Sequence, residues 1–144
     1  MRCLGLDIGD KRIGVALSDP DEILASPLAT ITRDNDEKAI NDIVEFVNKH
    51  EVGQIVVGLP YSLDGSIGRQ ADKVIAFVEK LSNCTEAKIE TQDERLSTVA
   101  AERLLIEARV RKGTVRLRLD AAAAAFILQG YLDSRKTFDN DTVY

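Results

Sequence analysis

The sequence has one histidine, two cysteines and no long apolar run among its 144 residues, and each shortage closes off a class of function. A Ser-His-Asp triad or a histidine-based zinc site would have to use His50. That residue lies in Asn48-Lys49-His50-Glu51, the charged end of an expected helix, where a cation suits the dipole. Cys3 and Cys84 form neither a paired metal-ligand spacing nor a disulfide framework. Each therefore reads as a small core hydrophobe, and a reducing cytoplasm is the expected compartment. No apolar stretch approaches the ~20 residues needed to cross a bilayer, and no signal-peptide pattern opens the chain. The formal charge of −5 argues against a coat of positive charge but leaves room for a local cationic patch. Any chemistry must rest mainly on carboxylates.

The chain has the length of one compact domain, expected over residues 1–133, with residues 134–144 as a polar, flexible tail. Residues 3–8 alternate, with Leu4, Leu6 and Ile8 on one face and Cys3, Gly5 and Asp7 on the other. A turn at Gly9-Asp10-Lys11-Arg12 leads to a second strand, Ile13 to Ser18, and a third is expected around Leu28 to Thr32. Asp34 to Asp36 can cap a helix with an Ile40, Ile43, Val44, Val47 stripe. Gln54 to Gly58 reads as a buried parallel strand. A helix follows with Ala71, Val74, Ile75, Val78 and Leu81 inward, then a strand from Lys88 to Gln92. A further helix is expected from Ser97 or Thr98 through Ala108, and a last one opening at Asp120. The order βββαβαβαα predicts an α/β fold, a mixed sheet with an antiparallel start flanked by helices.

Three carboxylates stand out. Asp7 lies in an otherwise apolar strand, where an ionised group is costly unless paired or metal-bound. Small neighbours at Gly5 and Gly9 leave room for something to approach the backbone; the alternative is an edge-strand Asp bonded to the next turn. Glu94 follows a strand and precedes a helix, where α/β folds place ligand-contacting residues, though Arg95 could simply pair with it. Asp120 is an N-cap on local logic. The alanines from Ala121 to Ala125 would nevertheless let its helix lie close against a sheet. Three oxygen donors without His or Cys favour Mg²⁺ or Mn²⁺ over zinc.

The residues then match a family. Leu4-Gly5-Leu6-Asp7-Ile8-Gly9-Asp10-Lys11-Arg12-Ile13-Gly14-Val15-Ala16 resembles the opening of the YqgF/RuvX family. So do Val57-Gly58-Leu59-Pro60 with Asp64-Gly65, Asp93-Glu94-Arg95-Leu96-Ser97-Thr98, and Asp120-Ala121 with Ile127-Leu128-Gln129 and Tyr131-Leu132. The blocks fall in the family's order over nearly the whole chain, and as a set they are specific. The resemblance implies a ribonuclease H-like fold with a five-stranded sheet, its first three strands antiparallel. It also implies an acidic site of Asp7, Glu94 and Asp120 binding Mg²⁺ or Mn²⁺. Trimming of the 5′ end of precursor 16S ribosomal RNA is the role it implies, or resolution of branched DNA, by a monomer or weak homodimer. Arg118-Leu119-Asp120 departs from the lysine usual in the family before the last aspartate. No fourth carboxylate follows Asp120, and Asp93 is the candidate substitute.

A nucleic-acid substrate needs cations. Lys11, Arg12 and Arg95 lie near the acids in sequence, and Arg103, Arg109, Arg111, Lys112, Arg116 and Arg118 precede Asp120. The same run also reads as a solvated helix end. The 58–66 segment lacks the Gly-Lys-Ser/Thr ending of a nucleotide-phosphate loop and is expected to shape the cleft. Two rival readings remain. One is a phosphate-binding module of the sugar-kinase and actin type, suggested by the glycine-spaced hairpin after Asp7. The other is a non-catalytic RNA-binding module.

Overall fold

The computed structural model describes the backbone of residues 1–59, 68–93 and 113–143, and the side chains of 1–59, 68–92 and 120–135. The elements, in order, are β1 (Arg2–Ile8), β2 (Arg12–Ser18), β3 (Ala25–Thr32), α1 (Asp36–Lys49), β4 (Val52–Leu59), α2 (Arg69–Ser82), β5 (Lys88–Asp93) and α3 (Gly113–Val143). The strands form one five-stranded sheet in the order β3-β2-β1-β4-β5. β1 pairs antiparallel with β2 and parallel with β4, β2 pairs antiparallel with β3, and β4 pairs parallel with β5. The expected mixed sheet with an antiparallel start is therefore what the chain forms. The expected helix from Ser97 or Thr98 lies outside the described residues.

Period-two alternation assigns the two faces of the sheet. Leu4, Leu6, Ile8, Ile13, Val15, Ile55 and Val57 point into the larger core, which α1 and α2 cover with Ile40, Ile43, Val47, Ala71, Val74, Phe77 and Leu81. Cys3, Ala16 and Val56 point the other way, against Ala124, Ala125, Ile127, Leu128 and Leu132 of α3. Because helices cover both faces, β1 and β4 are buried on both, which explains the continuous apolar run in β4. Phe77 takes the inward position on α2, while Ile75 and Val78 are only partly buried.

Local signals set the element ends. Asn35 caps α1 by accepting from the Lys38 amide at 3.2 Å, and Asp36 and Glu37 complement the dipole in the first turn. His50 is the C-cap of α1 and stacks on Phe46, at the sheet end remote from Asp7. Glu51 then adopts a left-handed φ of 54° to turn the chain into β4.

Four expectations need correction. β3 begins at Ala25 rather than near Leu28, because an edge strand tolerates Pro27, which sits at a register shift against β2. Cys3 is buried as expected, but Cys84 is exposed. β1 is the central strand, which excludes an edge-strand setting for Asp7. Finally, α3 starts at Gly113 and runs to Val143. The Arg and Leu residues before Asp120 are good helix formers, so the helix opens earlier. It also continues through most of residues 134–144, where a polar tail is expected.

Candidate active site

Asp7 is the penultimate residue of β1, half-buried on the face that α3 covers. Its cross-strand partner on β2 is Gly14. The absence of a side chain at Gly14 is what seats α3. A Cβ there would lie 1.8 Å from the Asp120 carbonyl oxygen and 2.3 Å from its carbon. The α3 backbone at Asp120 thus rests directly on the residue opposite Asp7. One turn further along, Gly5 repeats the device: a Cβ there would stand 2.7 Å from Leu128 Cβ and 3.0 Å from the Ala124 oxygen. Small residues on both surfaces allow this approach, with Ala121, Ala123 and Ala124 buried along α3. Gly5, expected to leave room for an approach, does so; Gly9 instead packs on the Arg12 carbonyl within its own turn.

Asp120 is therefore not an N-cap but a side chain projecting from within the helix. Its Oδ2 accepts from Arg12 Nε at 2.7 Å, with side-chain exposures of 26% for Asp120 and 29% for Arg12. Arg12 is the first residue of β2, so this pair ties the end of the β1–β2 hairpin to α3.

The hairpin turn is itself braced. The Gly9 amide donates to the Arg12 carbonyl at 2.9 Å, and the Arg33 amide to the Lys11 carbonyl at 2.8 Å. The Arg33 side chain reaches the Gly9 carbonyl through Nη1 at 2.9 Å and Asp36 Oδ1 through Nε at 2.8 Å. Its guanidinium lies 4.9 Å from the Phe77 ring centroid. These contacts hold the Asp36 carboxyl below the usual carboxylate range, the Arg33 hydrogen bond first among the causes and the Lys80 contact adding to it. Lys73 pairs with Asp10 at 3.6 Å beside the same turn, so Asp10 is an exposed turn residue as expected.

The parallel strands β1, β4 and β5 end at this same edge. Gly58 pairs with Gln92 and Leu59 with Asp93, the last residue of β5. Glu94, the next residue in sequence, lies outside the described residues. So do Arg95, Arg103, Arg109, Arg111 and Lys112, while the side chains of Arg116, Arg118 and Asp93 are not described. Among the described residues, no group of three or more His, Cys, Asp or Glu could hold a metal ion. Asp7 and Asp120 are the described members of the expected acidic set; Lys11 is exposed in the turn beside them and Arg12 is paired to Asp120. The Arg12–Asp120 pair joins positions far apart in the chain, and no local pattern signals it. The closure at Gly14 had a visible cue in the alanine run after Asp120.

At the other end of α3 a separate polar cluster closes the structure. Buried Cys3 donates through Sγ to Glu22 Oε1 at 2.9 Å, and Glu22 faces Arg135 Nη1 at 3.8 Å. Burial and that acceptor push the Cys3 thiol up to about 12. Gln129 accepts from the Ala25 amide and donates to the Ile23 carbonyl, both at 2.9 Å, clamping the β2–β3 connection to α3.

A central mixed sheet with three antiparallel leading strands, closed on one face by a helix carrying an acidic residue, defines the ribonuclease H-like fold of resolvases. The fold neighbours agree. Thermus thermophilus RuvC in complex with a Holliday junction substrate matches with a TM-score of 0.59 over 95% of this chain and 96% of that one, at 11% identity. The fowlpox virus resolvase with substrate Holliday junction DNA matches with a TM-score of 0.55 over 93% and 98%, at 13% identity. At sequence level the chain belongs to the RuvX family, whose model, described as Holliday junction resolvase, matches residues 1–134. A protein of Desulforamulus reducens is 50% identical over 93% of this chain and 98% of its own length. One of Thermoanaerobacter pseudethanolicus is 46% identical over 94% and 99%. Both carry the name "Putative pre-16S rRNA nuclease".

Proposed function

We propose that this protein is a divalent-metal-dependent nuclease that hydrolyses phosphodiester bonds at the 5′ end of precursor 16S ribosomal RNA, working in the cytoplasm as a monomer or weak homodimer. The observation that carries the reading is the contact at Gly14, where α3 delivers Asp120 to the strand position opposite Asp7. Family membership and the names of the relatives support the substrate class. Among the described residues no helix is long and apolar enough to cross a membrane, in keeping with that compartment.

The donor set suits Mg²⁺ or Mn²⁺: carboxylate oxygens from Asp7, Asp120 and Glu94, with no imidazole or thiolate at this end of the sheet. In this reading Asp7, Glu94 and Asp120 would be the residues that hold the ions. Such ions, when bound, supply Lewis acidity that activates water and offsets charge on the leaving 3′ oxygen. The protein's own part is positioning. β1 and α3 hold two carboxylates on rigid elements, and the braced turn sets Lys11 and Arg12 beside them for phosphate contact. Arg95, Arg109, Arg111, Lys112 and Arg118 are the further cations that this reading assigns to phosphate contact.

The test is cleavage of end-labelled precursor 16S rRNA and of a four-way DNA junction, side by side, with and without Mn²⁺. The wild type is expected to cut the rRNA only with metal. Asp7→Asn should keep its fold and lose at least about a hundredfold in rate. Full Mn²⁺-dependent cleavage by folded Asp7→Asn removes the proposed site. The description of the family model favours a second reading, branched DNA, and preferential cutting of the junction would select it. RNA binding without cleavage of either would mark a non-catalytic module.

A further inference from the structure

The ion pair between Arg12 and Asp120 uses one edge of the guanidinium. Nε donates to Oδ2 at 2.7 Å, and Nη1 and Nη2 make no hydrogen bond among the described residues. Both side chains are about a quarter exposed, so solvent reaches the pair. The Asp120 backbone packs closely on Gly14 within a helix, so its short side chain moves only with α3. Arg12, by contrast, ends in a long side chain on the first residue of a strand, next to the turn bearing Lys11. Of the two partners, only the arginine can move away cheaply. A carboxylate oxygen held by a guanidinium is a poorer ligand for a cation, because the same lone pairs are engaged and the guanidinium repels the incoming charge. A phosphate diester competes for that guanidinium with matching fork geometry.

We propose that Arg12 is an exchange partner for Asp120: it holds the carboxylate in the free protein and releases it to a divalent ion when a nucleic-acid phosphate draws the guanidinium away. The inference rests on the metal-dependent reading above and adds a coupling to it. Nucleic acid and metal each promote binding of the other, since linkage is reciprocal. An ion held without substrate is then bound weakly, which restrains cleavage in the absence of a docked strand. Arg12 is a positioning residue here, acting on the metal site through Asp120.

The experiment measures Mn²⁺ affinity by electron paramagnetic resonance for wild type, Arg12→Gln, Arg12→Lys and Asp7→Asn. Each is titrated alone and with a short phosphorothioate-substituted RNA that resists cleavage. Thermal melts confirm folding. Arg12→Gln is expected to bind Mn²⁺ about fivefold more tightly than wild type without RNA, matching loss of one partly exposed ion pair. It should at the same time bind the RNA more weakly. Adding RNA should tighten Mn²⁺ binding to wild type and leave Arg12→Gln nearly unchanged. Arg12→Lys, which keeps the charge but not the fork, should fall between them. The opposite shifts in metal and RNA affinity separate exchange from a structural role, which would weaken both. If Arg12→Gln binds Mn²⁺ no more tightly than wild type, while wild type binds it and Asp7→Asn does not, the exchange is refuted and the metal site stands. If none of the four binds Mn²⁺, the metal-dependent reading fails and the exchange with it.

Discussion

Replacing Gly14 with alanine tests the seating of α3 most directly. The added Cβ would begin 1.8 Å from the Asp120 oxygen and 3.0 Å from the Ala121 nitrogen, all backbone atoms that no rotamer change can move. Relief requires the helix to back away by about 1.5 Å or the central strands to bow. Overpacking of this kind costs roughly 1–3 kcal/mol, which for a domain of this size lowers Tm by roughly 3–10 °C. If Asp120 serves as proposed, its displacement by an ångström costs about a hundredfold in rate, so cleavage should fall much further than stability does. Two other glycines calibrate the result. Gly5→Ala meets Leu128 Cβ at 2.7 Å and should destabilise through the α3 core. Among the described residues Gly130→Ala meets only the Gln92 amide nitrogen at 3.9 Å, and in a helix it should gain about 0.5–1 kcal/mol. The assay is a melt of all three variants beside metal-dependent cleavage of the precursor rRNA. If Gly14→Ala melts and cuts like wild type, the close approach at Asp120 is not what holds the site.

Other outcomes follow from the same geometry. The Asp36 carboxyl is depressed mainly by Arg33, so the stability it confers is present above the ordinary value of 3.8 and is lost as pH falls below it. Arg33→Met should flatten that acid limb of the Tm–pH curve, and an unchanged limb would assign it to other groups. The Cys3 thiol, raised from 9.0 to about 12, contributes stability that is fully present below pH 9.0 and is lost as pH climbs toward about 12. Mass spectrometry after brief alkylation at pH 8 should therefore find Cys84 modified and Cys3 intact, until denaturant opens the fold. Early labelling of Cys3 would show that its burial is not maintained.

Much of the framework could be read from periodicity because the two sheet faces differ in kind. One face of β1 carries Leu4, Leu6 and Ile8 and predicts a conventional core; the other carries Cys3, Gly5 and Asp7 and predicts something lying close. The start of α3 was not legible at Asp120. A carboxylate ahead of five alanines satisfies the local rule for a cap, whereas the helix already starts at Gly113 and runs through Arg116 to Leu119, which favour it. The Arg12–Asp120 pair and the Arg33 brace depend on tertiary placement, for which charge alone gives no register. The early start of β3 at Ala25 was not legible either, since Pro27 is compatible with a strand only on an outer position such as this one.

The two faces of the sheet differ in how much oil they contain. α1 and α2 cover theirs with Ile, Val, Leu and Phe, while among the described residues of α3 the stretch next to Asp120 packs with Ala121, Ala123, Ala124 and Ala125, and Ile127, Leu128 and Leu132 follow further along. Alanine removes little apolar area from water, so residues 121–125, next to Asp120, are anchored by closeness of fit more than by hydrophobic adhesion. Closeness of fit is short-ranged, and a slight lift forfeits most of it. Warming should therefore loosen the acidic end of α3 while the sheet and its other two helices stay intact, and the molecule would lose its cutting edge before it lost its shape.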